Sequence, residues 1–130
     1  QFVVPFDDGF AAMREILGRI RGSGEGSFLT VLKTFGSLQS PGMLSFPRPG
    51  ITLALDFAYS GKKTLQLLDD LDKIVRQVGG AVYPAKDARM SAENFQAFFP
   101  RWREFAEYID PHFSSSFWRR VSYSEKLVTV

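Results

Sequence analysis

The chain has 130 residues, 45% apolar and 23% charged, with no cysteine and one histidine, His112. That composition fits one globular domain and excludes disulfide scaffolds, thiol chemistry, cysteine-ligated metals and multi-histidine zinc sites. Sixteen Lys and Arg oppose fourteen Asp and Glu; nine basic and eight acidic residues lie up to Gly80, and seven and six after it. No basic stripe gathers, so nucleic acid is not an expected partner.

Gln1 to Val4 reads as a short strand closed by Pro5, and the chain opens as if cut from a longer protein. Asp7 and Asp8 offer capping oxygens to a helix whose stripe is Phe10, Met13, Leu17 and Ile20, ending near Gly22. Ser27 to Phe35 is a strand rich in Phe, Leu, Val and Thr. Gly36 to Gly50 carries three of the seven prolines and is loop. Ile51 to Tyr59 is a second long strand. Leu65, Leu68, Leu71, Val75 and Val78 give Lys62 to Val78 helical spacing, and Gly79-Gly80 supply a stop that tolerates positive φ. Ala81 to Lys86 is short and extended. Helical patterns follow at Ser91 to Phe99 and Trp102 to Ile109, with a short segment around Phe117 and Trp118.

The order β-α-β-β-α-β predicts an α+β fold of ferredoxin-like type, an antiparallel sheet with both helices on one face, plus a C-terminal helical tail. Period two sorts the faces. Ile51, Leu53, Leu55 and Phe57 form an apolar row that belongs under the helices. The reverse face gathers Leu29, Val31, Lys33 and Phe35 with Thr52, Ala54 and Asp56, and by the same alternation Gln1 with Val3, and Val82 with Lys86. Apolar walls with a few polar groups suit a ligand pocket or a domain interface; lysines snorkelling at a half-solvated rim give the same pattern.

Other motifs carry less. The run Gly22-Ser-Gly-Glu-Gly26 follows a helix and precedes a strand, the reverse of a dinucleotide-binding turn. An RNA-binding sheet needs aromatics where the third strand has Thr52 and Ala54. Asp69, Asp70 and Asp72 read as the solvated side of a leucine stripe, and no metal site is expected. His112 reads as a packed or capping residue.

Three longer strings carry a resemblance. Ser27-Phe-Leu-Thr-Val-Leu-Lys-Thr-Phe-Gly36, Leu44-Ser-Phe-Pro-Arg-Pro-Gly50 running into Leu55-Asp-Phe57, and Gly80-Ala-Val-Tyr-Pro-Ala-Lys-Asp-Ala-Arg89 resemble the C-terminal part of the decaprenylphosphoryl-ribose oxidase family. These are FAD-linked oxidoreductases of the vanillyl-alcohol-oxidase type, related to sugar-lactone and alditol oxidases. Gln1 to Pro5, Ala92 to Phe95, Phe99 to Arg101 and Asp110-Pro111 extend the likeness in the family's order.

The resemblance implies that residues 1–80 belong to a substrate-binding (cap) domain, and that residues 81–130 return to an N-terminal FAD-binding domain missing from this chain. It implies substrate contacts at Gln1, Leu29, Val31, Lys33 and Phe35, cofactor contacts at Tyr83 and Lys86, and a catalytic role for Lys86. Thr52 and Ala54 stand where mycobacterial members carry Asn and Cys, which keeps the pocket frame and changes its contacts. The implied reaction is oxidation of a sugar or polyol secondary alcohol by hydride transfer to flavin, within a sugar epimerisation for cell-wall precursors completed by a reductase partner. FAD is expected in the full-length protein and not bound to this chain alone.

The bare sheet face and the aromatics Phe98, Trp102 and Trp118 predict self-association or a rearranged tail. No signal peptide or membrane span is legible, so a soluble protein, or one peripheral to a bacterial membrane, is expected. The alternative function is a stand-alone ferredoxin-like ligand- or protein-binding module without catalysis.

Overall fold

A computed structural model describes residues 1–86 and 89–122. The elements in chain order are β1 (Phe2–Val4), α1 (Phe6–Ser23), β2 (Ser27–Phe35), β3 (Gly50–Phe57), α2 (Lys62–Gln77) and β4 (Ala81–Val82). A 3₁₀ turn over Pro84–Lys86, then α3 (Ala92–Phe98), α4 (Trp102–Ala106) and α5 (Ser116–Ser122), complete the described chain. The four strands form one antiparallel sheet in the order β2-β3-β1-β4. This is the α+β, β-α-β-β-α-β arrangement expected from the sequence, with a helical C-terminal part.

Register sets the two faces. Phe2 pairs with Leu53 and with Val82, and Val4 with Ile51; these side chains share the face on which α1 and α2 pack. Val3 pairs with Thr52 and Ala81, and Thr52 in turn with Lys33, placing that row on the reverse face. Gly50 is needed by close approach, because a β-carbon there would collide with the Val4 carbonyl. Gly79 takes φ +70° just past α2, a left-handed stop that suits glycine.

α1 turns a different stripe to the sheet than the large apolar residues predict. Gly9, Ala12, Met13 and Ile16 are buried, while Phe10 is 73% and Leu17 50% exposed. The cause is closeness: a β-carbon on Gly9 would stand 2.7 Å from Ile51 Cδ1, so the helix crosses the sheet on its small residues. Asp7 and Asp8 lie inside the first turn, and Pro5 precedes the helix without a side-chain cap. Their negative charge still suits the N-terminal end of the helix dipole.

The tail packs on its own chain. Phe95, Phe98, Phe99 and Val121 have at most 1% exposure and join the core with Leu71, Ile74 and Val75. Phe95 meets Phe99, Phe117 and Trp118 at ring separations of 5.1, 5.6 and 6.2 Å. Ser91 caps α3, its hydroxyl accepting from Asn94 N at 3.2 Å. The expectation that Phe98, Trp102 and Trp118 lie bare is thereby corrected, since Phe98 is buried and both tryptophans are half-buried. No helix among the described residues is long and apolar enough to cross a membrane.

Candidate functional site

On the reverse face, Val31 pairs with Ala54, Lys33 with Thr52 and Phe35 with Gly50. One step on from the Phe2–Leu53 pair, Gln1 falls opposite Ala54, and the Gln1 carbonyl accepts from Tyr83 N at 2.8 Å. Two rows result across the sheet, Val31-Ala54-Gln1-Tyr83 and Lys33-Thr52-Val3-Ala81. Leu29, beside a register irregularity near the start of β2, is 56% exposed.

Chemistry divides these positions. Thr52 has no exposed surface; its hydroxyl donates to the Phe2 carbonyl at 2.8 Å and accepts from Gln1 Nε2 at 3.2 Å. A ligand therefore meets Thr52 through Gln1, whose amide oxygen is left as an acceptor. Lys33 is exposed, its ammonium 6.0 Å from the Phe35 ring centre, and among the described residues it makes no ion pair within 4 Å.

Phe46, from the loop before β3, is 4% exposed and lies against this face. Its ring stands 4.9 Å from Tyr83 and 5.8 Å from Phe35, so it backs the tyrosine and closes the centre of what period two leaves open. Sequence reasoning passed over Phe46 because a proline-rich loop has no period; the signal available was a large aromatic between Ser45 and Pro47.

Lys86 is corrected. β4 ends at Val82, and Pro84, lacking an N–H and fixed in φ, opens the 3₁₀ turn that carries Lys86. Val82, paired with Phe2, faces the helices, so Val82 and Lys86 do not share the reverse face. Lys86 instead lines a cavity of about 630 Å³ at the end of the sheet, with Gln1, Asp56, Leu68, Val82 and Arg89. Gln1 is the residue common to this cavity and to the reverse-face row.

Arg89 fixes that end of the chain. Its guanidinium donates twice to Asp72, each at 3.0 Å, and at 2.7 Å to Asp69. The Asp72 side chain is 4% exposed, so it is a buried partner and not part of the solvated stripe that the sequence suggests. No group of three or more His, Cys, Asp or Glu residues among the described positions could hold a metal ion. His112 is exposed, its backbone N–H donating to Asp110 Oδ1 at 2.8 Å.

In an alignment of 127 positions that covers 93% of its length, the chain is 39% identical to decaprenylphosphoryl-β-D-ribose oxidase of Mycolicibacterium smegmatis. It is also 35% identical, in an alignment of 114 positions that covers 84% of its length, to an uncharacterised protein of the mprA 5′ region of Streptomyces coelicolor. The chain spans 27% and 31% of the lengths of these two relatives. No protein-family model matches it.

Proposed function

We propose that this chain is the C-terminal part of a FAD-dependent oxidoreductase that oxidises a secondary alcohol of a sugar or polyol. The observation that carries the proposal is the similarity to an oxidase along 93% of the chain. Residues 1–80 then form the substrate side and residues 81–130 the return to a flavin-binding domain.

The residues on the page suit a planar ring that gathers negative charge. Tyr83 offers a half-buried ring backed by Phe46, and Lys86 an exposed ammonium without an ion pair among the described residues. Bound there, the flavin would supply the two-electron acceptor for the hydride.

The chain's own contribution is orientation and charge. Thr52 holds the Gln1 amide so that its oxygen can accept a substrate hydroxyl. Lys33 donates to substrate oxygens from the β2 side, where Val31 and Ala54 leave a shallow apolar floor. Lys86 stabilises negative charge that grows during hydride loss, the kind of preorganised electrostatic help that counts most where charge develops. A role in sugar epimerisation, with a reductase returning the hydride from the other face, is the extension of this reading.

The test is optical. The longer natural protein, purified and made anaerobic, is expected to absorb visible light as a flavoprotein and to bleach on mixing with sugars or polyols. A colourless protein that binds the same compounds without a redox change would replace the oxidase by a binding module.

A further inference from the structure

From Gly26 to Leu55 the chain has no carboxylate, and its only charges there are Lys33 and Arg48. Arg48 sits in the loop before β3, half-buried, with one Nη donating to the Phe98 carbonyl at 3.0 Å and the guanidinium 5.7 Å from the Phe99 ring centre. A guanidinium has five N–H donors, and Arg48 makes no ion pair among the described residues.

The surroundings complete a basic cleft. A cavity of about 260 Å³ opens between this loop and Phe98–Arg101, and among the described residues no acidic one lines it. Its polar walls are Gln39, Ser40, Ser45, Arg48 and Arg101. The Ser40 hydroxyl donates to Ser45 Oγ at 2.7 Å, so the Ser45 proton is left to turn toward the cavity. Arg101 is already held by Glu104 at 2.8 and 2.7 Å, which leaves Arg48 as the cation of this cleft without an anion among the described residues. Burial pulls the Arg48 guanidinium below its ordinary value, since desolvating a cation is costly.

We propose that this cleft is an oxyanion site, in which Arg48, assisted by Gln39 and Ser45, takes the phosphate or carboxylate group of a small molecule. Charge-assisted bonds from a planar fork are the strong and geometrically selective way to hold such a group. The site is separate from the Gln1, Lys33 and Lys86 positions, and it does not depend on the oxidase reading.

The experiment titrates the chain, at constant ionic strength, with inorganic phosphate, glycerol 1-phosphate and acetate, following amide shifts by NMR and the melting temperature. Saturable shifts confined to residues 38–48 and 98–101 are expected, with the three arms ranking phosphate, phosphate ester and carboxylate. Arg48→Gln should weaken binding by about tenfold or more, the equivalent of one charge-assisted bond. Arg48→Lys keeps the charge, guards against a loss of folding in the first variant, and should fall between the two. Shifts that do not saturate, or that spread over all surface lysines and arginines, would overturn the proposal. So would a Lys or Gln variant that binds phosphate as the parent does.

Discussion

Thr52 on β3 and Gln1 at the head of β1 are joined side chain to side chain, Gln1 Nε2 donating to Thr52 Oγ1 at 3.2 Å. Because the Thr52 hydroxyl itself donates a hydrogen bond to the Phe2 carbonyl at 2.8 Å, one buried hydroxyl locks a strand pairing and a site residue together. Thr52→Val keeps the shape and removes both bonds. A loss of about 1–3 kcal/mol in urea denaturation is expected, about 0.5–1.5 kcal/mol for each of the two hydrogen bonds. Thr52→Ser should recover most of it. A neutral Val variant would mean that neither bond adds to stability, and that Gln1 is held by other contacts.

Phe46 is the residue on which the covered part of the reverse face depends. Phe46→Ala should cost about 3–5 kcal/mol, the range for a large aromatic removed from a packed setting, and should raise the exposure of Tyr83 to solvent quenchers. A change below about 1 kcal/mol would show that the loop only drapes the sheet.

Two ion pairs provide an internal contrast. Asp72→Ala leaves the mostly covered Arg89 without its bidentate partner, and breaking a buried pair costs about 3–5 kcal/mol. Glu104→Ala removes the exposed partner of Arg101, where less than about 1 kcal/mol is expected. Equal effects in chemical denaturation would contradict the assignment of Asp72 and Arg89 as the anchor of the segment that carries Lys86.

Glu25 sets an acid limb. The Ser60 hydroxyl, then Lys63 and Thr64, hold its carboxyl below the ordinary glutamate value, and it sits at the N-terminal end of α2, where a negative charge is favoured. A carboxyl depressed in the folded state adds stability at neutral pH. That contribution is lost as pH falls from the unfolded value of about 4.3 through the lower folded value. Glu25→Gln should flatten the fall in melting temperature on acidification, with little change at the acid end. An unchanged slope would place the acid sensitivity elsewhere.

The sheet and its faces were legible because β-branched and aromatic runs with period two leave little choice of register. That Lys33 shares a face with Thr52, and Val31 with Ala54, follows from alternation alone; which residue pairs with which is read from the structure. Closeness was hidden: Gly9 determines how α1 lies on Ile51, yet it adds nothing to an apolar stripe. Phe46 and Arg48 lie in a loop without period. Arg89 and Asp72 are 17 residues apart and meet only because α2 and the segment after β4 run side by side. The 3₁₀ turn at Pro84 was signalled by the proline itself, and reading the strand on to Lys86 overrode that signal.

Lys86 carries the chemical part of the proposed function, and its replacement gives the most direct measurement. In the longer flavoprotein, the rate of anaerobic flavin bleaching by substrate is followed for Lys86→Ala beside the melting temperature. Lys86 is exposed and outside the core, so stability should move by less than about 1 kcal/mol. The bleaching rate should fall on the order of 100-fold or more, as when a comparable electrostatic donor is lost. Near-normal bleaching in a protein that unfolds many degrees earlier would contradict the account and make Lys86 a structural residue.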